Sequence, residues 1–291
     1  MGDYVMKRVL LAGATGYLGG HIARELQGRS YPVRVIVRSP DKLLNSDIEI
    51  SDVFKAEITQ PKTIEGCCRG IDTVISTVGI TRQKDGLTYM DVDYQANMNL
   101  LREAKASGVR KFIYVSVLNG ETLRHLKICD AKEKFVEQLK QSGMEYCVIR
   151  PNGFFSDMTE FYSMAKKGRI YLFGNGEIKA NPIHGEDLAA VCVEAIEGAD
   201  SEVIAGGPET LTYNEIAKIA FEAAGTTVKI AHIPDWIRST LLRLVRTIFS
   251  GKVYGPIEFF LTVSSIDMIA PEYGTHKLRD HFRKVSQENT E

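Results

Sequence analysis

Residues 7–19 read KRVLLAGATGYLG, in which a run of β-forming residues ends at a glycine and leads into a helical pattern. Apolar residues recur at every fourth position over 18–26, which is typical of the buried face of a helix. Three glycines occupy the turn between strand and helix. Gly13 permits a sharp turn, Gly16 lets backbone N–H groups approach a ligand, and Gly19 lets the helix pack closely on the strand. The stretch therefore predicts a strand, a tight turn and a helix.

The predicted helix offers a binding site for an anion at its first turn. Backbone N–H groups there lack partners within the helix, and the helix dipole adds a positive partial charge. Glycines at this spacing bind the diphosphate of a dinucleotide when a strand precedes them and a second strand follows about 20 residues later. The apolar run 33–37 fits that second strand. The sequence thus predicts a dinucleotide site, and the alternative is a glycine turn with a structural role alone.

The chain continues to alternate strands with helices up to residue 150. Further strands are predicted at 52–56, 71–78, 111–117 and 146–150, and helices at 90–107 and 131–142. Strands that are apolar on both faces and alternate with helices are typical of a parallel sheet covered on both sides. The predicted fold class is therefore α/β, a Rossmann-type doubly wound parallel sheet with a small interleaved C-terminal cap domain.

After residue 150 the alternation loosens, which predicts a second region. The predicted dinucleotide-binding domain covers 1–150 with return elements at about 182–206, and the substrate or cap region covers 151–181 and 207–291. The cap region contains aromatic residues that fit either an apolar ligand pocket or ordinary core packing, namely Phe154, Phe155, Phe161 and Tyr162.

A basic amphipathic stretch occupies residues 236–252. This pattern predicts a helix that packs on its own cap region. The alternative is a helix that contacts a membrane surface or a protein partner.

Composition excludes several classes of function. The 291 residues carry a formal net charge of −1, so no global field favours nucleic acid. No uninterrupted apolar stretch of about 18 residues occurs, so no transmembrane segment is expected. The five cysteines show no CxxC pair and no paired metal spacing, which predicts reduced thiols, a cytoplasmic location and no metal site. The expected partner is a small-molecule substrate, and the sequence does not fix the oligomeric state.

The residues at the end of the second strand bear on the choice of nucleotide. A site specific for NAD usually places a carboxylate there for the ribose 2′-hydroxyl. This chain has Arg38, with Lys42 four residues later, and an arginine fork suits a 2′-phosphate. NADP is therefore the predicted cofactor, while an arginine here is also typical of a solvated surface. Glu57, just past the third strand, fits either an acceptor for the adenine amino group or an exposed loop carboxylate.

Several motifs together resemble one known family. They are the glycine turn, VIVR (35–38), DYQAN (93–97), KFIYVS (111–116), AK (131–132), IRPNGFF (149–155), and PIH (182–184) followed by DLA (187–189). With these motifs, about residues 7–195 are similar to the atypical short-chain dehydrogenases/reductases. The similarity is specifically to the NmrA-like group, which also resembles isoflavone-reductase-type enzymes.

The resemblance implies roles along the whole length of a bound dinucleotide. It implies that the diphosphate is lined by Gly13, Thr15, Gly16, Tyr17, Leu18 and Gly19. It implies that Arg38 and Lys42 reach the adenosine ribose phosphate, and that Val78 and Gly79 lie on the adenosine side. It implies a place on the nicotinamide side for Ser116, Val117, Lys132, Pro151, Asn152, Gly153 and Phe154.

One departure from the wider superfamily concerns catalysis. Active members carry a Ser, a Tyr and a Lys, with the Tyr four residues before the Lys as general acid and base. Counting back from Arg150 places that lysine at Lys132, so the Tyr position is Ile128 and the Ser position is Leu118. Neither apolar side chain moves a proton. Lys132 is therefore the predicted catalytic residue, and reduction of an activated double bond can take its proton from water or from the substrate.

Two functions from different classes fit this pattern. The first is an NADP(H)-dependent oxidoreductase of the atypical short-chain dehydrogenase/reductase type, which acts on a small apolar substrate without the usual Tyr proton relay. The second is a non-catalytic NAD(P)-binding sensor, or an assembly or regulatory protein of the NmrA-like type. Loss of the Tyr and the Ser favours the second function, whereas the retained Lys132 and the cap region favour the first.

Overall fold

The computed structural model describes residues 7–44, 50–80, 86–248 and 251–288. Up to residue 151 the strands and helices are, in chain order, β1 (Val9–Ala12), α1 (Tyr17–Gly28), β2 (Val33–Val37), α2 (Asp41–Leu44), β3 (Asp52–Lys55), β4 (Thr73–Ser76), α3 (Asn97–Ala106), β5 (Lys111–Val115), α4 (Lys127–Lys140) and β6 (Glu145–Pro151). A 3₁₀ turn spans Pro61–Ile64, and a π-helical segment spans Met90–Ala96.

The second half of the chain is richer in short strands. Its elements are α5 (Phe155–Lys166), β7 (Ile170–Phe173), β8 (Lys179–Ala180), α6 (Gly185–Glu194), β9 (Glu202–Ala205), β10 (Leu211–Thr212), α7 (Tyr213–Ala224), β11 (Ile230–Ile233), α8 (Asp235–Ile248), α9 (Gly251–Val263) and α10 (Leu278–Glu288). Among the helices within the described ranges, none combines the length and the apolar character that a membrane crossing needs.

Seven strands form the main sheet, in the order β3-β2-β1-β4-β5-β6-β9. The neighbours from β3 to β6 pair in parallel. β9 is also parallel to β6, because the N–H of Val148 donates to Ser201 and the N–H of Asn152 donates to Ala205 further along both strands. The predicted fold class is therefore confirmed. The strand order reverses at β1 and β4, and ligands of such sheets bind outside the carboxyl ends of the strands at this point.

The chain divides into two compact units, one of Met1–Arg150 and Leu188–Val203, the other of Pro151–Asp187 and Ile204–Glu291. In the first unit, every residue of β1, β4 and β5 is buried. Burial along the full length of a strand is expected when helices cover both faces of a parallel sheet. The apolar face of α1 is buried as its periodicity predicts.

The second unit has a core of its own, in which α5 packs on α7 and both contact α10. Phe155, Phe161 and Tyr162 are part of that core, so ordinary packing is confirmed for these three aromatic residues. β7 pairs in parallel with β11, and β8 pairs antiparallel with β10. A capping box begins α7, because the Thr212 hydroxyl accepts the N–H of Glu215 while the Glu215 carboxylate accepts the N–H of Thr212.

Helices α8 and α9 pack on each other and expose large apolar side chains. Trp236 is 68% exposed, Leu244 is 53% exposed and Phe260 is 52% exposed. α8 covers most of the amphipathic stretch predicted at 236–252. Residues 249 and 250 of that stretch lie outside the described part of the chain.

A buried ion pair joins α4 to β6 in the first unit. The Arg150 guanidinium donates to both oxygens of Glu133, at 2.6 and 2.9 Å, and its Nε donates to Glu202 at 2.8 Å. The side chains of Arg150 and Glu133 are 4% and 3% exposed. Two parallel hydrogen bonds to one carboxylate fix the guanidinium in direction as well as in charge.

Substituting Glu133→Gln is expected to lower the free energy of unfolding by about 3 kcal/mol, because the buried Arg150 guanidinium then keeps only the more exposed carboxylates of Glu202 and Glu121 as partners. Urea denaturation followed by circular dichroism measures this loss. The matched control is Glu137→Gln on the same helix, where the partner is Arg124 and the carboxylate is 48% exposed. Less than about 1 kcal/mol should be lost there. Equal losses in the two variants would contradict a structural role for the buried pair.

Candidate nucleotide-binding site

The glycine turn holds the first turn of α1 at the carboxyl end of β1. Gly13 adopts a φ of 94°, and the N–H of Gly16 donates to the carbonyl of Gly13 at 2.9 Å. Gly16 is the N-cap of α1, and the first turn of α1 contains no acidic residue. The free N–H groups and the dipole of the helix therefore face this edge of the sheet without a competing carboxylate from the same turn.

Neighbouring atoms leave no room for a side chain at Gly13 or at Gly19. A Cβ at Gly19 would overlap the carbonyl oxygen of Gly13, and a Cβ at Gly13 would overlap the Thr77 hydroxyl. The Thr77 hydroxyl in turn donates to the carbonyl of Ala12 at 3.2 Å. The turn thus has the close backbone packing that a diphosphate-binding loop needs.

A pocket of about 260 Å³ opens beside this turn. Seven residues named from the sequence line it, namely Gly13, Thr15, Gly16, Arg38, Glu57, Val78 and Gly79. Residues that the sequence did not indicate complete the wall, among them Ile58, Thr59, Ile80, Leu87 and Val92. The volume lies just below the range of about 300–1,000 Å³ for whole ligands, so it suits one part of a larger molecule.

Arg38 and Glu57 bring opposite charges to the same wall. The Arg38 Nε lies 3.6 Å from the Glu57 Oε2, and the two side chains are 57% and 28% exposed. The other Glu57 oxygen accepts from the Thr59 hydroxyl at 2.9 Å, which ties the carboxylate to its own loop. The pocket therefore contains both a cation suited to a 2′-phosphate and a carboxylate suited to a ribose hydroxyl.

The remaining residues predicted on the diphosphate side occupy different surroundings. Tyr17 is 38% exposed, and its ring meets the edge of the His21 ring at 5.0 Å. Leu18 is 6% exposed, on the core face of α1. Lys42 belongs to α2, but its side chain lies outside the described part of the chain. Their roles toward a nucleotide stay predictions.

Lys132 forms a buried ion pair with Asp93 behind the pocket wall at Gly79. Its Nζ is 3.1 Å from the Asp93 Oδ1, and the side chains are 12% and 0% exposed. The same ammonium lies 5.4 Å from the centroid of the fully buried Tyr114 ring. A Cβ at Gly79 would stand 2.6 Å from the Asp93 oxygen and 3.0 Å from Nζ. Gly79 thus lines the pocket on one side and covers the ion pair on the other.

The surroundings of this cluster set the protonation of its members. Burial alone would lower the pKa of Lys132, but the Tyr114 oxygen and the Asp93 carboxylate raise it above its ordinary value. Burial raises the pKa of the Asp93 carboxyl, although the Lys132 ammonium opposes that rise. Burial also raises the pKa of the Tyr114 phenol. Lys132 therefore stays cationic at neutral pH and Tyr114 stays neutral.

The π-helical segment Met90–Ala96 and the first residue of α3 position Asp93. Asn97 donates to the carbonyls of Asp93 at 2.9 Å and Val78 at 3.1 Å, and it accepts from the Ser76 hydroxyl at 2.6 Å. The Asp93 Oδ2 accepts the N–H of Ile80 at 3.2 Å. The segment is therefore tied to the carboxyl end of β4, where the pocket lies. π-Helical turns are frequent at functional sites.

The residues after β5 serve the buried ion pair of α4 and β6. The Ser116 hydroxyl donates to Glu133 at 3.0 Å, and the Val117 carbonyl lies 3.5 Å from an Arg150 Nη1. Leu118 and Ile128, at the positions of the usual Ser and Tyr, are 3% and 7% exposed.

The predicted nicotinamide-side residues from Pro151 to Phe154 belong to the second compact unit. Asn152 donates to Asn181 and to the carbonyl of Met268, both at 2.7 Å, and its own oxygen accepts the N–H of Gly153. The N–H of Phe154 donates to Asp157 in the first turn of α5. These contacts hold the backbone of the segment, and its role toward a cofactor stays a prediction.

Asp93 is the residue of this site that sequence reasoning missed. It is a carboxylate between apolar residues of a helical stretch, and a buried carboxylate of that kind needs a cationic partner. That signal is available in the sequence, but the partner is not, because Lys132 lies on another helix.

Comparison with known proteins identifies the family of this chain. A model of a family described as NAD(P)H-binding matches residues 13–199, which is more than half of the chain. The photosystem II assembly factor Ycf39 of Trieres chinensis is 26% identical over 85% of this chain and 77% of its own length. The chloroplastic divinyl chlorophyllide a 8-vinyl-reductase of Arabidopsis thaliana is 26% identical over 96% of this chain and 77% of its own length.

Solved structures share the fold. An NADPH-dependent quinone oxidoreductase from Escherichia coli, in complex with NADPH, has a TM-score of 0.74 at 17% identity over 97% of this chain and 100% of the other. A nucleoside-diphosphate-sugar epimerase from Staphylococcus aureus has a TM-score of 0.73 at 18% identity over 95% of this chain and 99% of the other. Because the family model covers more than half of the chain, the chain belongs to the NAD(P)H-binding family.

Proposed function

We propose that this chain is an NADP(H)-dependent oxidoreductase that reduces an activated double bond, of the enone or quinone type, in a small apolar substrate. The observation that carries the proposal is the Lys132 ammonium, which pairs with Asp93 behind the pocket wall at Gly79. A buried lysine is costly unless its charge is used or compensated. Here Asp93 compensates the charge, and Gly79 is the residue of the pocket wall that lies against the pair.

The chain has the parts that an NADP(H) molecule requires. The first turn of α1 would hold the diphosphate, Arg38 would pair with a 2′-phosphate, and the pocket wall at Val78 and Gly79 would contact the adenosine half. Gly13 and Gly19 pack closely and carry no side chains, so a ligand in front of the loop can contact the loop backbone.

When bound, the reduced nicotinamide supplies a hydride to one end of the activated double bond, and a proton must reach the other end. Ile128 and Leu118 offer no ionisable group at the usual relay positions. Lys132 stays charged because Asp93 and Tyr114 surround it, so its role is to stabilise negative charge that develops on the substrate. The proton then comes from water or from the substrate itself.

Relatives support this class of reaction. One is a vinyl-reductase by name, and a structural neighbour is an NADPH-dependent quinone oxidoreductase. Both names describe the reduction of an unsaturated or quinone-type acceptor. The fold alone does not choose between these and the epimerases that share it.

A second candidate is a non-catalytic NAD(P)-binding assembly or regulatory protein. The apolar side chains exposed on α8 and α9 favour it, since Trp236, Leu244 and Phe260 are each more than half exposed. Another relative is an assembly factor by name. Binding of NADPH without turnover of any acceptor would favour this candidate over the oxidoreductase.

Substituting Gly19→Ala is expected to abolish measurable NADPH binding, because the new Cβ meets backbone atoms of Gly13 that cannot move without breaking the turn. Fluorescence titration with NADPH measures the affinity. Gly28→Ala is the matched control, since Gly28 ends the same helix and has nothing within 4 Å of an added Cβ. Its affinity should equal that of the wild type. Unchanged NADPH binding in Gly19→Ala would refute the assigned loop.

Two charge-removing variants test the choice of nucleotide. Arg38→Gln should weaken NADPH binding by about ten-fold or more, because a charge-assisted hydrogen bond to the 2′-phosphate is lost, and should leave NADH binding nearly unchanged. Glu57→Gln should strengthen NADPH binding by about three-fold, because a carboxylate beside the phosphate is removed. Calorimetric titration with each nucleotide gives both ratios. Ratios that stay at the wild-type value in both variants would remove Arg38 and Glu57 from the site.

Lys132→Met should lower kcat by about a hundred-fold or more on any enone or quinone that the wild type reduces, since the charge that stabilises the developing anion is lost. NADPH oxidation is followed by absorbance. The control is Lys134→Met on the same helix, where the lysine is 44% exposed and pairs with Asp130. It should retain wild-type turnover. A broad acceptor panel without turnover by the wild type would reject the oxidoreductase proposal.

A further inference from the structure

Two histidines and a glutamate converge in the second compact unit, and none of the three is a lining residue of the nucleotide pocket. His184 precedes α6, Glu186 lies in its first turn, and His276 precedes α10. One nitrogen from each imidazole and one carboxylate oxygen all lie within 4.8 Å of one another. We call these three residues the histidine–glutamate cluster. His184 and Glu186 are two residues apart, and the packing of the unit brings the distant His276 to them.

Asp187 fixes the direction of His276. The His276 Nδ1 lies 2.8 Å from the Asp187 Oδ1, and the backbone N–H of His276 donates to the other oxygen at 3.1 Å. An ionised carboxylate only accepts hydrogen bonds, so Nδ1 carries the proton. The lone pair of a neutral His276 is therefore at Nε2. A carboxylate behind a histidine in this way is the usual support of a metal ligand.

The loop before His276 is packed tightly against this support. A Cβ at Gly274 would overlap the Asp187 side chain, so the backbone of the loop rests directly on the carboxylate. The N–H of Tyr273 donates to Gly206, which adds a backbone tie on the other side of Gly274. His276 is thus a fixed ligand on a rigid loop.

The Nε2 of His276 faces the Glu186 carboxylate, and the distance to Oε2 is 3.2 Å. Two groups that both accept hydrogen bonds repel each other at this distance unless a cation lies between or beside them. A proton on Nε2 meets this need, and so does a metal ion. In a tetrahedral zinc site with bonds near 2.0–2.1 Å, two ligand atoms are about 3.3 Å apart. The observed separation matches one edge of such a site.

His184 supplies the second imidazole. Its ring stacks on the His276 ring, with centroids 4.2 Å apart and an angle of 20° between the planes. A metal–imidazole bond lies in the plane of the ring, so His184 must turn out of this stack to share a metal with the fixed His276. The side chains of Glu186 and His276 are 57% and 43% exposed, which leaves solvent access for a further water ligand.

We propose that the histidine–glutamate cluster is a binding site for a zinc-class divalent cation, with Asp187 as a positioning residue. Two imidazole nitrogens and one carboxylate oxygen suit zinc and its transition-metal neighbours. Calcium and magnesium are disfavoured, because both prefer oxygen ligands alone.

Calorimetric titration of the full chain with Zn²⁺ in the absence of chelators tests the site. The wild type should take up one equivalent with saturation. His276→Gln and Glu186→Gln should each weaken uptake by about ten-fold or more, and Asp187→Asn by about ten-fold, the effect expected of a supporting carboxylate. His125→Gln, which removes an exposed histidine outside the cluster, should behave as the wild type. Mg²⁺ should give no saturable signal.

The visible absorption of bound Co²⁺ adds a readout that a purely structural role would not move. The wild type should show the intense bands of a tetrahedral site, and Asp187→Asn should reduce them while circular dichroism shows an intact fold. Absence of saturable Zn²⁺ uptake, or equal uptake by the wild type and His276→Gln, would overturn the proposal. Imidazole nitrogen shifts that show a doubly protonated His276 in the presence of excess Zn²⁺ would also overturn it, since the cluster would then be an ion pair.

Discussion

The close approach of α1 to the backbone of Gly13 is the constraint on which the rest of the nucleotide pocket depends. The helix starts directly against the end of β1 because no Cβ stands between Gly19 and the Gly13 carbonyl. β1 is also the strand at which the order of the sheet reverses. The N–H groups of the first turn of α1 therefore face the crevice between β1 and β4, where the strand order reverses. A side chain at this contact would move the positive end of the helix away from that crevice.

The first unit contains two buried ion pairs, which differ in how many carboxylates surround the positive charge. Arg150 is surrounded by carboxylates and forms a bidentate pair with Glu133, so its charge is compensated within the protein. Lys132 has a single carboxylate partner, retains a small exposed fraction and lies under a glycine of the pocket wall. The first pair fastens a helix to the sheet. The second pair places a positive charge behind the wall of the pocket, where a single carboxylate among the described residues compensates it.

The sequence predicted most of the first unit and, in the second, the helix α8 within the amphipathic stretch 236–252. Apolar runs and the glycine turn indicated β1, α1 and the later strands, because periodicity and turn chemistry are local properties. Asp93 escaped because its partner Lys132 lies on another helix, 39 residues further along the chain, and only the folded chain brings the two together. The strands β8 and β10 have two residues each, which is too short to show the alternating pattern that predicts a strand. The histidine–glutamate cluster escaped for the same reason as Asp93, since its residues meet only after the chain folds.

The exposed indole of Trp236 on α8 also determines what tryptophan fluorescence can report about this molecule. Trp236 is the one tryptophan of the chain, and it is 68% exposed on a helix that packs mainly on α9. Its emission is therefore that of an indole already in water, and loss of either core changes it little. Contact of any surface with α8 would instead shield the ring and shift its emission toward shorter wavelengths. Tryptophan emission of this chain therefore reports contacts of α8 rather than unfolding of either core.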